Sequence, residues 1–294
     1  MKYVEKHPMI MIVIGVIGIS LSSIFVKYST APSGVTAAYR LLWTVLLMSP
    51  VVWGRREVRK ELAQVSGKTA LLSCVSGIFL AVHFVLWFES LQHTSVASST
   101  TIVCTEVIWV SLGYCLFMKG RLSLKALLTI SVTLMGSVMI ALADSSAGGQ
   151  HLYGDILSLF AAIAVAIYVL LGRAVRKTVS TTVYTYIVYS ACALVLVCFC
   201  VIQNMSLLDY GPSAMIVGLL LAVFSTILGH SIFSWCLKFF SPSFVSASKL
   251  CEPVAAAVLA AFLFGEIPSA LQLLGGILIL AGVAYYSKLE RQKE

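Results

Sequence analysis

Glu106 and Glu252 each stand about ten residues deep in an apolar run long enough to cross a bilayer. A charged side chain at that depth costs about 2.5–3.5 kcal/mol on insertion scales, so such residues mark ion or substrate pathways by default. Each follows a hydroxyl-rich stretch: Ser95, Ser98, Ser99, Thr101 and Thr105 before the first, Ser243, Ser246 and Ser248 before the second. On a helix Ser98, Thr101 and Thr105 share one face. In the second run that face contracts to Ser248, Lys249 and Glu252, where Lys249 can reach Glu252 at i, i+3. Such a pair either lines a cavity and exchanges partners with substrate and proton, or neutralises itself and fixes packing. Glu106 has no cation nearby in sequence, so its candidates are Arg40, a substrate or a proton. A carboxylate kept from water is costly to hold charged, which suits a proton carrier.

Other residue types stand in the same kind of surroundings. His83 and Trp87 are one turn apart, and His230 and Trp235 are five residues apart. An intramembrane His relays protons or bonds a neighbouring helix. Trp caps a substrate, a cation included, or packs. Tyr39, Tyr168 and Tyr186 are weaker candidates of that kind. Pro253 follows Glu252 directly and frees a carbonyl one turn earlier, near Lys249, which makes it a hinge or an ordinary membrane-helix kink. Lys27, Glu89, Asp155 and Arg173 lie at run ends, where long side chains reach the interface. No metal-ligand cluster, HExxH, GxSxG or P-loop is present, so neither a metal, a cofactor nor an ATP-driven pump is implied.

Helices must position these groups. Of 294 residues, 60% are hydrophobic and only 11% charged, and mean hydropathy is +0.98. A soluble domain of that size leaves roughly a quarter of its chain surface exposed and has nowhere to hide such a composition. A soluble enzyme, a disordered chain and a nucleic-acid binder are thereby excluded. Ten apolar runs are separated by short polar punctuation, at roughly 8–28, 33–53, 69–92, 95–118, 122–142, 152–172, 180–202, 212–237, 242–264 and 267–287. In lipid every backbone group must bond internally, which dictates helices in the absence of strand alternation. Seventeen of the 20 Lys and Arg fall at the termini and in alternate loops, and the other set of loops has none. By the positive-inside rule both termini are cytoplasmic. The net charge of +8 is that bias rather than a sign of an acidic partner. The eight cysteines all lie in apolar runs and read as small packing residues.

The halves are similar at an offset of 146, the step from Glu106 to Glu252. Lys27 falls on Arg173, Leu91 on Leu237, Ser95 on Ser241 and Gly136 on Gly282. Five spans per half would invert the second half relative to the first, the layout typical of secondary transporters. The chain resembles the drug/metabolite transporter superfamily, specifically its EamA-type family. The stretch Ser241–Glu266 carries the resemblance: a serine-rich helix start, Glu252-Pro253, an Ala/Leu run and Gly265-Glu266. Leu91–Thr100 is its first-half counterpart, and Arg40 matches an Arg common early in the second span. Val107 departs from the family's Pro, which predicts a straighter span four. Met118-Lys119-Gly120 replaces its Gly-Glu.

The expected fold is therefore an all-α membrane protein, ten transmembrane helices as two inverted five-helix repeats, 1–147 and 148–294. The expected function is a secondary transporter, an exporter of small metabolites such as amino acids. It would work by alternating access, proton-coupled or by exchange, with spans four and nine carrying the site. Organic cations and anionic sugar-phosphate-like solutes are the alternative substrates; a channel or an intramembrane enzyme is remote. The expected partners are a small-molecule substrate and the lipid bilayer, not nucleic acid, with the chain working as a monomer or homodimer. Short apolar loops favour a bacterial inner membrane.

Overall fold

A computed structural model describes residues 8–94, 96–144, 152–255, 258–259 and 269–291. Among the described residues the chain is helical and contains no strand. The first half comprises α1 (Pro8–Lys27), α2 (Ser33–Gly54), a short charged surface helix α3 (Arg56–Ala63), α4 (Gly67–His93), α5 (Val96–Cys104), α6 (Glu106–Met118) and α7 (Leu124–Asp144). The second comprises α8 (Leu152–Val175), α9 (Thr181–Ile202), α10 (Gly211–Leu220), a wide π turn (Leu221–Ser231), α11 (Ile232–Cys236), α12 (Pro242–Ser248), a 3₁₀ turn (Lys249–Cys251) and α13 (Ala270–Arg291).

The starts of these helices are written in local chemistry. Ser66, Ser180 and Ser241 each accept a hydrogen bond from the backbone N–H three residues on, capping α4, α9 and α12. Lys119 ends α6 in the left-handed conformation at φ 54°, where Gly is the usual choice.

Eight helical stretches are long and apolar enough to cross a membrane. They coincide with the expected spans one to four, six to eight and ten. The expected fifth is α7, of which Leu124–Met139 forms a shorter apolar stretch. The expected ninth is described from α12 through residue 255, and most of its remainder lies outside the described residues. Large apolar side chains such as Leu46, Leu71, Phe117 and Met135 face outward, while Ser20, Thr44, Ser76, Ser158 and Thr226 are buried. This inside-out distribution fits a hydrocarbon solvent, in which polar groups gain by turning toward one another.

The contacts follow the internal repeat. α1 lies along the π turn, and α4 lies along α8. α2 packs on α9, and α7 on α13. The α7–α13 contact tests the offset at single residues. A side chain at Gly136 would meet Ile279, and one at Gly282 would meet Thr133. Each contact is the other shifted by 146 in both partners, as a two-fold relation between the halves requires. Gly77 presses on the Val188 carbonyl in the same manner, seating α4 against α9.

Overpacking such a site costs about 1–3 kcal/mol. Gly77→Val is therefore expected to lower the thermal unfolding midpoint of the detergent-solubilised protein clearly. Gly54→Ala, where a side chain would meet open space, is expected to leave that midpoint within error.

Candidate functional site

Spans four and nine are both interrupted, at equivalent places. Span four breaks at Thr105, whose N–H and hydroxyl both turn back to the Ile102 carbonyl, at 3.0 and 2.6 Å. The hydroxyl competes with the helix ladder for that carbonyl. Thr105 thus interrupts span four without a proline. Span nine breaks at the 3₁₀ turn Lys249–Cys251, just before Glu252 and Pro253. Thr105 shifted by 146 is Cys251, so Glu106 and Glu252 each follow a helix break. The breaks meet: Cys104 Sγ lies 3.9 Å from the Lys249 carbonyl.

Seven of the residues singled out in the sequence line one cavity of about 40 Å³: Arg40, His83, Trp87, Glu106, His230, Lys249 and Glu252. Ile19, Ser22, Val103 and Val165 complete its wall. Three pairs stand at the repeat offset, namely Ile19 with Val165, Val103 with Lys249 and Glu106 with Glu252, so the cavity straddles the pseudo-two-fold relation. At about 10–15 Å³ per water, it has room for about three water molecules. A metabolite enters only if helices separate.

The charges are arranged differently from the local pairing read in the sequence. Lys249 Nζ lies 2.8 Å from Glu106 Oε1, with both side chains almost fully buried. The ion pair therefore joins the two halves and is not made with Glu252. Crossing of the two breaks brings Glu106 within reach of the lysine stem, which no within-helix spacing reveals. The approach is too oblique to count as a hydrogen bond, so Glu106 Oε1 is matched in charge alone. Glu252 makes no ion pair or side-chain hydrogen bond among the described residues. Its backbone carbonyl receives a long 3.5 Å contact from the Ser20 hydroxyl.

Arg40 is fully buried. Its Nε donates to Thr226 Oγ1 at 2.7 Å and its Nη1 to Ser22 Oγ at 3.2 Å. The guanidinium carbon lies 4.2 Å from the Phe84 ring centroid, a cation–π seat. Nη2 has no partner. No carboxylate of the described residues pairs with Arg40. Thr226 sits on the π turn, where it also donates to the Leu221 carbonyl five residues back. Wide turns of this kind gather at functional sites. This one has no evident trace in the residue spacing.

The aromatic wall is a chain of ring contacts. His83 stacks on Trp87 at 5.9 Å and bonds the Ala161 carbonyl through Nδ1 at 3.0 Å. His230 lies 6.4 Å from His83, 5.4 Å from Phe84 and 6.0 Å from Tyr168. Phe84 and His230 are partners at the repeat offset, and so are Trp87 and Phe233. The two His–Trp pairs are therefore not equivalent. Trp87 Nε1 has no hydrogen-bond partner among the described residues.

The other named residues lie elsewhere. Trp235 packs on Phe239 at 4.5 Å, away from the cavity; five residues turn an α-helix about 140° past a full turn, off the face of His230. Thr105 spends its hydroxyl on its own turn. Ser248 donates to the Phe244 carbonyl at 2.9 Å and faces a different crevice. The side chain of Ser98 lies outside the described ones. Neighbouring Ser99 bonds Ser90 and Ser158, at 2.6 and 3.1 Å, and serves packing. Glu89 is half-exposed beside His93, in keeping with an interfacial position. Tyr39 donates to the Leu207 carbonyl, and Tyr186 bonds Trp53 at 2.9 Å. Thr226, Ser22 and Phe84, which hold Arg40, carry no sequence signal beyond their apolar or hydroxyl type. All eight cysteines are free.

The sequence pattern of the EamA-like transporter family matches the chain twice, over residues 7–142 and 152–287. A protein of Bacillus subtilis (strain 168) described as "Uncharacterized transporter YxxF" is 24% identical over 283 residues, covering 96% of this chain and 88% of the relative. A solved structure described as "Crystal structure of protein" superimposes with a TM-score of 0.78 at 15% identity, covering 98% of this chain and 99% of that one. At that identity the likeness is one of fold.

Removing one partner of a buried ion pair costs about 3–5 kcal/mol, whereas removing both leaves no stranded charge. Lys249→Met and Glu106→Gln are therefore each expected to lower thermal stability more than the double variant does. Additive losses in a double-mutant cycle would place the two groups out of contact.

Proposed function

Because the chain belongs to the EamA-like transporter family, we propose that this multi-pass membrane transporter of small solutes carries a zwitterionic metabolite, such as an amino acid, outward across the membrane. The observation that carries the proposal is one of unmet partners. Arg40 and Glu252 line the same cavity; among the described residues Arg40 Nη2 has no hydrogen-bond partner and the Glu252 side chain makes no ion pair or hydrogen bond. A solute carboxylate satisfies the first and a solute ammonium the second. Phe84 and Thr226 hold the guanidinium from the other side, so its remaining edge is aimed rather than mobile. Trp87 also lines this wall. An organic cation would leave Arg40 unmet, and an anionic sugar phosphate would leave Glu252 unmet.

In this proposal ten spans form two inverted five-helix repeats, 1–147 and 148–294, with both termini cytoplasmic in a bacterial plasma membrane. The repeats rock about the cavity and expose it to either face in turn. Glu252 takes a proton when the solute leaves, and Pro253 beside it serves as the hinge. Lys249 and Glu106 separate as the halves rock and close again on the empty site.

The test is proton flux in liposomes holding a pH-sensitive dye, challenged in turn with amino acids, polyamines, organic cations and sugar phosphates. Amino acids are expected to give a saturable internal pH change, which Glu252→Gln abolishes and Arg40→Gln reduces at least tenfold in apparent affinity. Flux driven by another class overturns the zwitterion assignment. Uptake without pH change, at normal rate in Glu252→Gln, overturns the role of that carboxylate.

A further inference from the structure

The two halves match in most of their packing but differ at one seam. The first half of span four, α5, lies along α8. The equivalent first half of span nine, α12, barely touches α1. Between α1, α13 and the floor of span nine a crevice of about 630 Å³ remains, within the roughly 300–1,000 Å³ range of small-molecule pockets. Its floor is Val254 and Ala255, and its walls include Ile12 and Val283. Rim residues Val13, Ile17 and Leu280 are half-exposed or more and face the hydrocarbon side.

Neither water nor an empty void suits this space. The two hydroxyls on its lining are already engaged: Ser248 donates to the Phe244 carbonyl, and Ser287 to Met9 Sδ at 3.7 Å. A void would forfeit van der Waals contact along its whole wall. At one end stands Lys288, exposed and without an ion-pair partner among the described residues. It lies at the C-terminal end of α13, level with the start of α1, which positive-inside counting assigns to the cytoplasmic leaflet. Anionic lipids give that leaflet a negative surface, to which juxtamembrane basic side chains are drawn.

We propose that the crevice between α1 and α13 is a binding site for one anionic phospholipid, its acyl chain lying in the groove and its phosphate on Lys288. Size, apolar lining and the cation at the mouth each match one part of such a molecule. The site is distinct from the central cavity, although Cys251 in its lining and Lys249 in the cavity belong to the same 3₁₀ turn.

Native mass spectrometry of the purified full chain tests this. The protein is titrated with dioleoyl phosphatidylglycerol and with dioleoyl phosphatidylcholine. One phosphatidylglycerol is expected to be held about fivefold more tightly, the factor a single basic side chain at an anionic headgroup supplies. Lys288→Gln is expected to erase the preference and Lys288→Arg to keep it. Ala255→Trp, from the floor, or Val283→Trp, from the wall, is expected to fill the groove and abolish tight binding of both lipids. Equal affinity for the two lipids in the unaltered chain overturns the proposal. So does a preference that survives Lys288→Gln and both filling variants, since the lipid then sits elsewhere.

Discussion

One buried attraction organises the centre of this molecule: the Lys249 ammonium against the Glu106 carboxylate, 2.8 Å apart where the two halves meet. In water such a pair contributes little, but withdrawn from solvent neither charge can persist alone, so each half supplies the condition for the other to keep its charge. The contact follows from two helix breaks that cross. The rest of the cavity, Arg40 on its phenylalanine and the stacked His83 and Trp87, is arranged around that crossing.

Much of this was legible from residue type and depth. An apolar run of about 20 residues is a length that the bilayer sets, so span positions could be read directly. The expense of charge at mid-depth singled out Glu106, Glu252, Arg40 and Lys249, and all four line the same cavity. What could not be read is who pairs with whom. Helical spacing offers Lys249 a neighbour at i+3, whereas the crossing of distant segments offers Glu106, and periodicity holds no information on crossings. The break at Thr105 was masked for a similar reason, since a threonine hydroxyl either bonds back to its own turn or faces a ligand. The π turn left no evident mark in the spacing, and Trp235, five residues from His230, lies off the site.

The α7–α13 contact and the α1–α13 seam are two outcomes of the same repeat. Where α7 meets α13, small residues let two equivalent surfaces approach, and the symmetric contact is also the close one. Where α1 barely touches α12, the equivalent surfaces of α8 and α5 are in contact. Loosely similar sequences thus hold two different packings within one molecule. A fold made of paired, nearly equivalent halves has such alternatives available without any part of it unfolding.

The carboxylates of the cavity come as a pair related by the repeat, but the cations do not. Val103 stands where symmetry would place a second Lys249, and Tyr186, bonded to Trp53, where it would place a second Arg40. A fully symmetric chamber would accept a lopsided guest equally well in either of two opposed poses. Two unmatched cations break that tie and give the chamber a head and a tail. Duplication alone supplies a container; divergence at two positions supplies a compass.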